Sequence, residues 1–183
     1  DDAQEVVEIW NDVFMEYEKK DGKVIGKLAT QNVDTGSGFE RVAMVLQGKD
    51  NIFDTDIFTP IIEKIEELID VTSISTPIEA FRSKRAKRVI ADHIRTSVML
   101  ISDGVLPANS DQGYVLRRLI RRAVRFADVL NLKPKALFQL ADTVCNLYEE
   151  VYENVGKMRE TIKITIDKEE QKFRNTLSDG LKQ

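Results

Sequence analysis

The chain has 183 residues, 42% hydrophobic and 32% charged, a balance that suits one or two folded domains with a real core and gives no ground for disorder. Its single cysteine, Cys145, excludes an internal disulfide and offers no metal-ligand spacing; no apolar run approaches ~18 residues and DDAQEVVEIW is acidic, so neither a membrane span nor a secretory leader is visible and the cytoplasm is the expected compartment. The net charge of −4 conceals a segregation: from Arg82 to Arg125 eleven Lys and Arg stand against three Asp, a local +8 that leaves −12 for the rest, and a basic middle of this kind points to a polyanion.

In chain order, EVVEIWNDVFMEY (residues 5–17) is rich in β-branched and aromatic side chains, KKDGK supplies an Asp-Gly turn, and residues 23–28 return as a second strand, which predicts a hairpin. Asp34, Thr35, Gly36 and Gly38 read as a turn, and residues 40–47 as a short helix with Val42, Val45 and Leu46 inward, closed by Gly48. This N-terminal piece is too strand-poor for a closed sheet and looks cut from something larger. From Asp54 the pattern turns helical. Phe58, Ile61, Ile62, Ile65, Leu68 and Ile69 recur at helical spacing behind Pro60, which a first turn tolerates. Residues 71–77 read as a connector and residues 82–101 as a third helix with Val89, Ile90, Ile94, Val98 and Ile101 on its stripe. A turn-rich segment runs from Asp103 to Gly113. Asn131 and Pro134 mark a break, followed by an amphipathic run from Leu137 to Gly156 and another from Met158 to Leu181 that is still in phase at the last residue.

The segment 115–125 after the turn-rich stretch sorts its side chains by face. At ~100° per residue Arg117, Arg118, Arg121, Arg122 and Arg125 fall within about 140° of arc, with Val115, Leu116, Leu119, Ile120, Ala123, Val124 and Ala127 opposite. Five guanidiniums without an acid among them repel one another, so a polyanion, bulk solvent or acids on a neighbouring element must compensate. The polar loop tip beside them favours the first, since phosphate contacts position a duplex while tip residues read bases. A second candidate, Asp34-Thr35-Gly36-Ser37-Gly38-Phe39-Glu40-Arg41, offers backbone approach, a helix N-terminus and a guanidinium fork for a phosphate, but on its own reads more readily as a structural strand-to-helix turn. It lacks the spacing of a dinucleotide or P-loop fingerprint. His93, the only histidine, reads as a packed or hydrogen-bonded residue, Cys145 as a core residue, and Glu63, Glu66, Glu67 and Asp70 as solvated charge.

Five stretches taken together resemble alanyl-tRNA synthetases: EIWNDVFMEY (residues 8–17), NVDTGSGFERVAMVLQG (32–48), DTDIFTPII (54–62), RVIADHIR (88–95) and ISDGVLPANSDQGYVLRRLIRRAVR (101–125). The likeness is dense to about Phe126 and only a helical pattern beyond. It implies an α+β, mostly α chain. Residues 1–50 would be the C-terminal part of a class II aminoacylation domain, a short hairpin and motif-3 helix from its antiparallel sheet; residues 51–183 would be a helical domain that recognises the tRNA acceptor stem, truncated at its C-terminus. The implied reaction joins alanine to ATP as alanyl-adenylate and passes the alanyl group to tRNA(Ala). By similarity, Arg41 is the catalytic residue, packing on the adenine and contacting phosphates; Gly38 and Glu40 join it at ATP. Asp34 pairs with the alanine ammonium as a buried carboxylate, and Asn11, Val13 and Gly36 wall the small pocket. The tRNA side would comprise Asn109, an amide reader of a G·U wobble pair, with Asp111, Gln112, Arg117, Arg118, Arg121 and Arg122. ATP and Mg2+ are implied for the intact enzyme and no cofactor for this stretch alone, since the first two class II motifs are expected upstream of Asp1; alanine activation by the stretch alone is not expected. The loop departs from the family in reading Pro107-Ala108-Asn109 and Gln112-Gly113-Tyr114, one cation fewer beside the reader. The family's second reader, an aspartate, is expected beyond Gln183. An independent helical nucleic-acid-binding module would share the arginine face but leave EIWNDVF and DTGSGFER unexplained. A scaffold would neutralise that face with the acidic C-terminal helix, through Glu149, Glu150, Glu153 and others.

Overall fold

The structure, a computed structural model, describes residues 6–69, 77–133 and 135–180. It divides into two compact units, Asp1–Ile57 and Phe58–Gln183. In the first, the β-branched and aromatic run becomes strand β1 (Trp10–Lys20), paired antiparallel with β2 (Lys23–Ser37). Asp21 (φ 50°) and Gly22 (φ 80°) join them, the two left-handed positions that Asp-Gly fills in a tight hairpin turn.

Strand β2 runs further than the sequence suggests. Asp34, Thr35 and Gly36, expected in a turn, continue the ladder, with Val13 opposite Asp34, Asp12 opposite Thr35 and Asn11 opposite Gly36. The cause is β1, whose row of backbone donors and acceptors outweighs local turn preference. The Trp10 indole adds to it, donating from Nε1 to Thr35 Oγ1 at 2.7 Å. Helix α1 (Phe39–Leu46) follows and closes at Gly48. Of its three expected inward residues only Val42 is half-buried, whereas Val45 is 52% and Leu46 82% exposed. Within this unit α1 packs on a short 3-10 turn, Ile52–Asp54, which is too small to cover a whole apolar face.

The second unit is helical: α2 (Thr59–Leu68), α3 (Pro77–Ser102), α4 (Asp111–Val129), α5 (Ala136–Tyr148), α6 (Glu153–Lys157) and α7 (Arg159–Gly180). The stripes read from the sequence converge on one core: Ile61 and Ile65 of α2, Ile90, Ile94 and Ile101 of α3, Leu116 and Ile120 of α4, Leu137 and Leu140 of α5, and Ile162 and Ile166 of α7 are fully buried. Each contributes about 1.5–3 kcal/mol by leaving water. Helix α3 starts at Pro77 rather than Arg82, and the run expected to last to Gly156 stops at Tyr148, because Tyr152 takes an extended backbone (φ −115°, ψ 92°) before α6 begins. Asn131 (φ 53°) ends α4 in the left-handed conformation that asparagine tolerates. The expected connector over 71–76, the break at Pro134 and the end of the last run at Leu181 lie outside the described residues.

Cys145 is buried, and burial pushes its thiol up to about 11, keeping it neutral in the core. His93 lies within α3 with Nδ1 2.8 Å from Asp92 Oδ2. Glu66 and Glu67 pair at the surface with Lys87 and Lys64. Among the described residues no helix is long and apolar enough to cross a membrane.

Candidate nucleic-acid interface and substrate face

The hairpin assembles residues that the sequence keeps more than twenty positions apart. Asn11 faces Gly36 and Val13 faces Asp34 on rungs two residues apart, so all four share one face of the ribbon. That face is open: Asn11, Asp34 and Gly36 are exposed and Val13 is 50% exposed. Asp34, expected as a buried carboxylate, is therefore in contact with solvent here. Beyond the strand, Arg41 stands in the first turn of α1 and its Nη1 donates to Glu8 O at 2.7 Å. A Cβ on residue 38 would come within 3.3 Å of Arg41 Cδ, so Gly38 gives the arginine stem room to lie back along the chain. Arg41 is exposed and Glu40 half-buried. An exposed planar guanidinium fits an adenine face or a phosphate. Among the described residues no group of three or more His, Cys, Asp or Glu could hold a metal ion; an Mg2+ held mainly by ATP phosphates needs no such group.

In the helical unit the loop after α3 folds back on α4. Asp111, Gln112 and Gly113, expected in the turn-rich segment, already belong to α4. Ser110 O accepts from Tyr114 N at 2.9 Å, and Gly113 O accepts from Ala108 N at 3.0 Å, so the loop supplies partners that start the helix early. Gly113 is buried, and a Cβ there would stand 2.5 Å from Leu106 O and 2.6 Å from the Ala108 Cβ. Only glycine permits that approach. The consequence is a fixed, exposed tip carrying Asn109, with Asp111 and Gln112 also exposed beside it.

Asn109 and the arginine row lie on one side of the unit, since Arg117 Nη1 donates to Asn109 Oδ1. Arg117 also lies over the Tyr114 ring, 5.8 Å from its centroid. The rest of the row divides. Arg118, Arg122 and Arg125 are exposed and have no carboxylate partner among the described residues. Arg121 is different: its Nε donates to Glu169 Oε1 of α7 at 2.6 Å, and that glutamate is only 6% exposed. Arg121 is thus tied to α7 in this structure, where the sequence reading has it facing phosphates. Phe173 lies beneath it, 5.2 Å from ring centroid to guanidinium. Glu149, Glu150 and Glu153 do not neutralise the face; Glu149 pairs with Arg159 and Glu153 with Lys157, and Glu150 is exposed.

Sequence reasoning missed Glu169 and Glu170, although a signal existed. Both fall on the α7 stripe between Ile166 and Phe173, and an acid on an apolar stripe marks a buried ion pair. Burial holds the Glu170 carboxyl above the usual range, with Arg174 opposing the shift from 2.9 Å. Arg174 in turn reaches Asp128 of α4 at 2.5 Å. The α4–α7 seam so formed borders a groove of about 640 Å3 lined by Tyr114, Phe126, Phe173 and the arginine row.

Known proteins share this pattern along the whole chain. The family described as tRNA synthetases class II (A) matches residues 1–183, well beyond the stretches that end near Phe126. The chain is 42% identical over 182 residues to the alanine–tRNA ligase of Magnetococcus marinus, covering 100% of this chain and 20% of that protein. It is 44% identical over 175 residues to the alanine–tRNA ligase of Exiguobacterium sibiricum, covering 96% and 19%, and 42% identical over 177 residues to that of Borrelia hermsii, covering 94% and 29%. It therefore spans 19% to 29% of the length of these relatives.

Proposed function

The chain belongs to the class II tRNA synthetases, and from that premise we propose that it is part of an alanine–tRNA ligase of the cytoplasm whose helical unit holds the acceptor stem of tRNA(Ala) and reads its G·U pair. In the intact enzyme alanine displaces pyrophosphate from ATP to give alanyl-adenylate, and the alanyl group then passes to the tRNA 3′ end with release of AMP. ATP supplies the activated phosphoryl centre. The hairpin face contributes Asp34 as counter-charge for the alanine ammonium, with Asn11, Val13 and Gly36 bounding the methyl, while Arg41 with Gly38 and Glu40 meets ATP. Closure over that open face is left to other parts of the ligase, so this stretch alone is not expected to form adenylate.

One observation supports the RNA half: an exposed amide is tethered at the head of a helix whose outer side holds three arginines without a carboxylate partner among the described residues. An A-form minor groove is wide and shallow and displays the guanine exocyclic amine. In a wobble pair that amine makes no bond across the pair, so an amide oxygen can accept from it. Arg118, Arg122 and Arg125 meet the adjoining phosphates, which fix register without reading sequence. The scaffold alternative finds little support, because one of the five arginines, Arg121, is matched by a carboxylate. The test is a titration of acceptor-stem hairpins carrying G·U or G·C. Asn109→Ala is expected to cost about 1–3 kcal/mol on the wobble stem and little on the G·C stem. Equal losses on both would remove Asn109 from the reading of the pair.

A further inference from the structure

Resting on that proposed reading of the wobble pair, we infer that Arg117 is a positioning residue that orients the Asn109 carboxamide and so sets the preference for G·U, rather than one more phosphate contact. A carboxamide presents two ends of almost equal shape and opposite hydrogen-bonding sense: the oxygen accepts twice and the nitrogen donates twice. An unrestrained asparagine on an exposed tip therefore offers a duplex either end. Only the oxygen suits a guanine amine; the NH2 group would set donor against donor.

Arg117 removes this ambiguity by chemistry. A guanidinium has no acceptor, so the atom of Asn109 that meets Arg117 Nη1 must be the oxygen. One lone pair of Oδ1 is taken, the second stays available in the amide plane, and the NH2 group is turned away. Arg117 can impose an orientation because it is itself held. It lies half-buried over the Tyr114 ring, and Tyr114 is fixed by its backbone bond to Ser110 on the loop. The tip cannot drift, because Gly113 leaves the backbone of Leu106 and Ala108 in direct contact with the first turn of α4. The remaining arginines of the row show no bond to Asn109, and Arg121 is turned to Glu169. Arg117 thus differs from Arg118 by what it touches, although the sequence places them side by side with the same charge.

The difference is measurable in the free chain and in the complex. In the free 183-residue chain, the Asn109 side-chain amide resonances are expected to shift on Arg117→Ala and to stay in place on Arg118→Ala. With hairpin stems, Arg117→Ala is expected to lower the ratio of G·U to G·C affinity by about fivefold or more, whereas Arg118→Ala weakens both stems by one factor and keeps the ratio within about twofold. Should Arg117→Ala fail to fold, Arg117→Lys keeps the charge without the rigid fork; it is expected to hold overall affinity within about threefold and lose the same selectivity. An unshifted Asn109 amide, or a ratio preserved in the Arg117 variants, overturns the inference and leaves Asn109 as reader. A native chain that binds both stems equally defeats the reading of the wobble pair and the inference together.

Discussion

Helix α7 is flanked by charge on two sides, and the two seams close differently. Toward α5, two cations have acids: Arg159 reaches Asp142 and Glu149 at 2.9 Å, and Lys163 reaches Asp142 at 3.0 Å and Glu160 at 2.8 Å. Toward α4, Glu169 takes Arg121 and Asp128 takes Arg174, and Arg118, Arg122 and Arg125 remain exposed beyond the seam. A balanced seam serves packing. A seam with surplus guanidinium keeps a repulsion that a polyanion would relieve, and that surplus is what the proposed binding face rests on.

The contrast breaks most sharply where the loop meets α4. Gly113→Ala forces a Cβ against backbone that cannot yield as a side chain would, so a loss on the order of 3 kcal/mol is expected in urea unfolding, together with loss of wobble selectivity as the Asn109 tip moves. Next comes the buried tie. Glu169→Gln removes the charge that holds Arg121, and because Arg121 is 28% exposed the expected cost is only about 1–2 kcal/mol. The same substitution frees a fourth guanidinium, so affinity for G·U and G·C stems should rise equally; a fall in both would mean that Arg121 is needed in its present place.

The smallest effect belongs to the balanced seam. Burial alone would raise the Asp142 carboxyl, but hydrogen bonds and charge from Lys163 and Arg159 outweigh it and hold the group below its ordinary 3.8. A folded value below the unfolded one contributes stability that is fully present above pH 3.8 and is lost as pH falls through the folded value. Melting temperatures on acidification should therefore converge: Asp142→Asn melts below the native chain at pH 6, and the gap narrows below about pH 4. A gap independent of pH would assign the loss to packing.

The apolar stripes of α2 through α7 were legible in the sequence because each is a local property with a helical period; Ile90, Ile94 and Ile101 are buried as their spacing requires. The Asp21-Gly22 turn was legible for the same reason. What escaped depends on partners distant in sequence. Asp34 and Gly36 look like turn residues until β1 offers them a ladder, and Val45 and Leu46 look internal until the unit around α1 proves too small to cover them. Of the proposed RNA face, the arginine arc and the polar tip could be read from residue order alone. The division of that arc could not, since Arg121 meets an acid 48 residues away and Arg117 meets the Asn109 amide on the loop.

The surplus charge on α4 is tested most directly by the salt dependence of stem binding in the native chain and in an Arg118→Ala, Arg122→Ala, Arg125→Ala variant. The slope of log affinity against log salt should flatten by roughly one unit for each arginine that meets a phosphate, about two to three units in all, on G·U and G·C stems alike. An unchanged slope would place the phosphates elsewhere and leave the outer face of α4 as solvated charge.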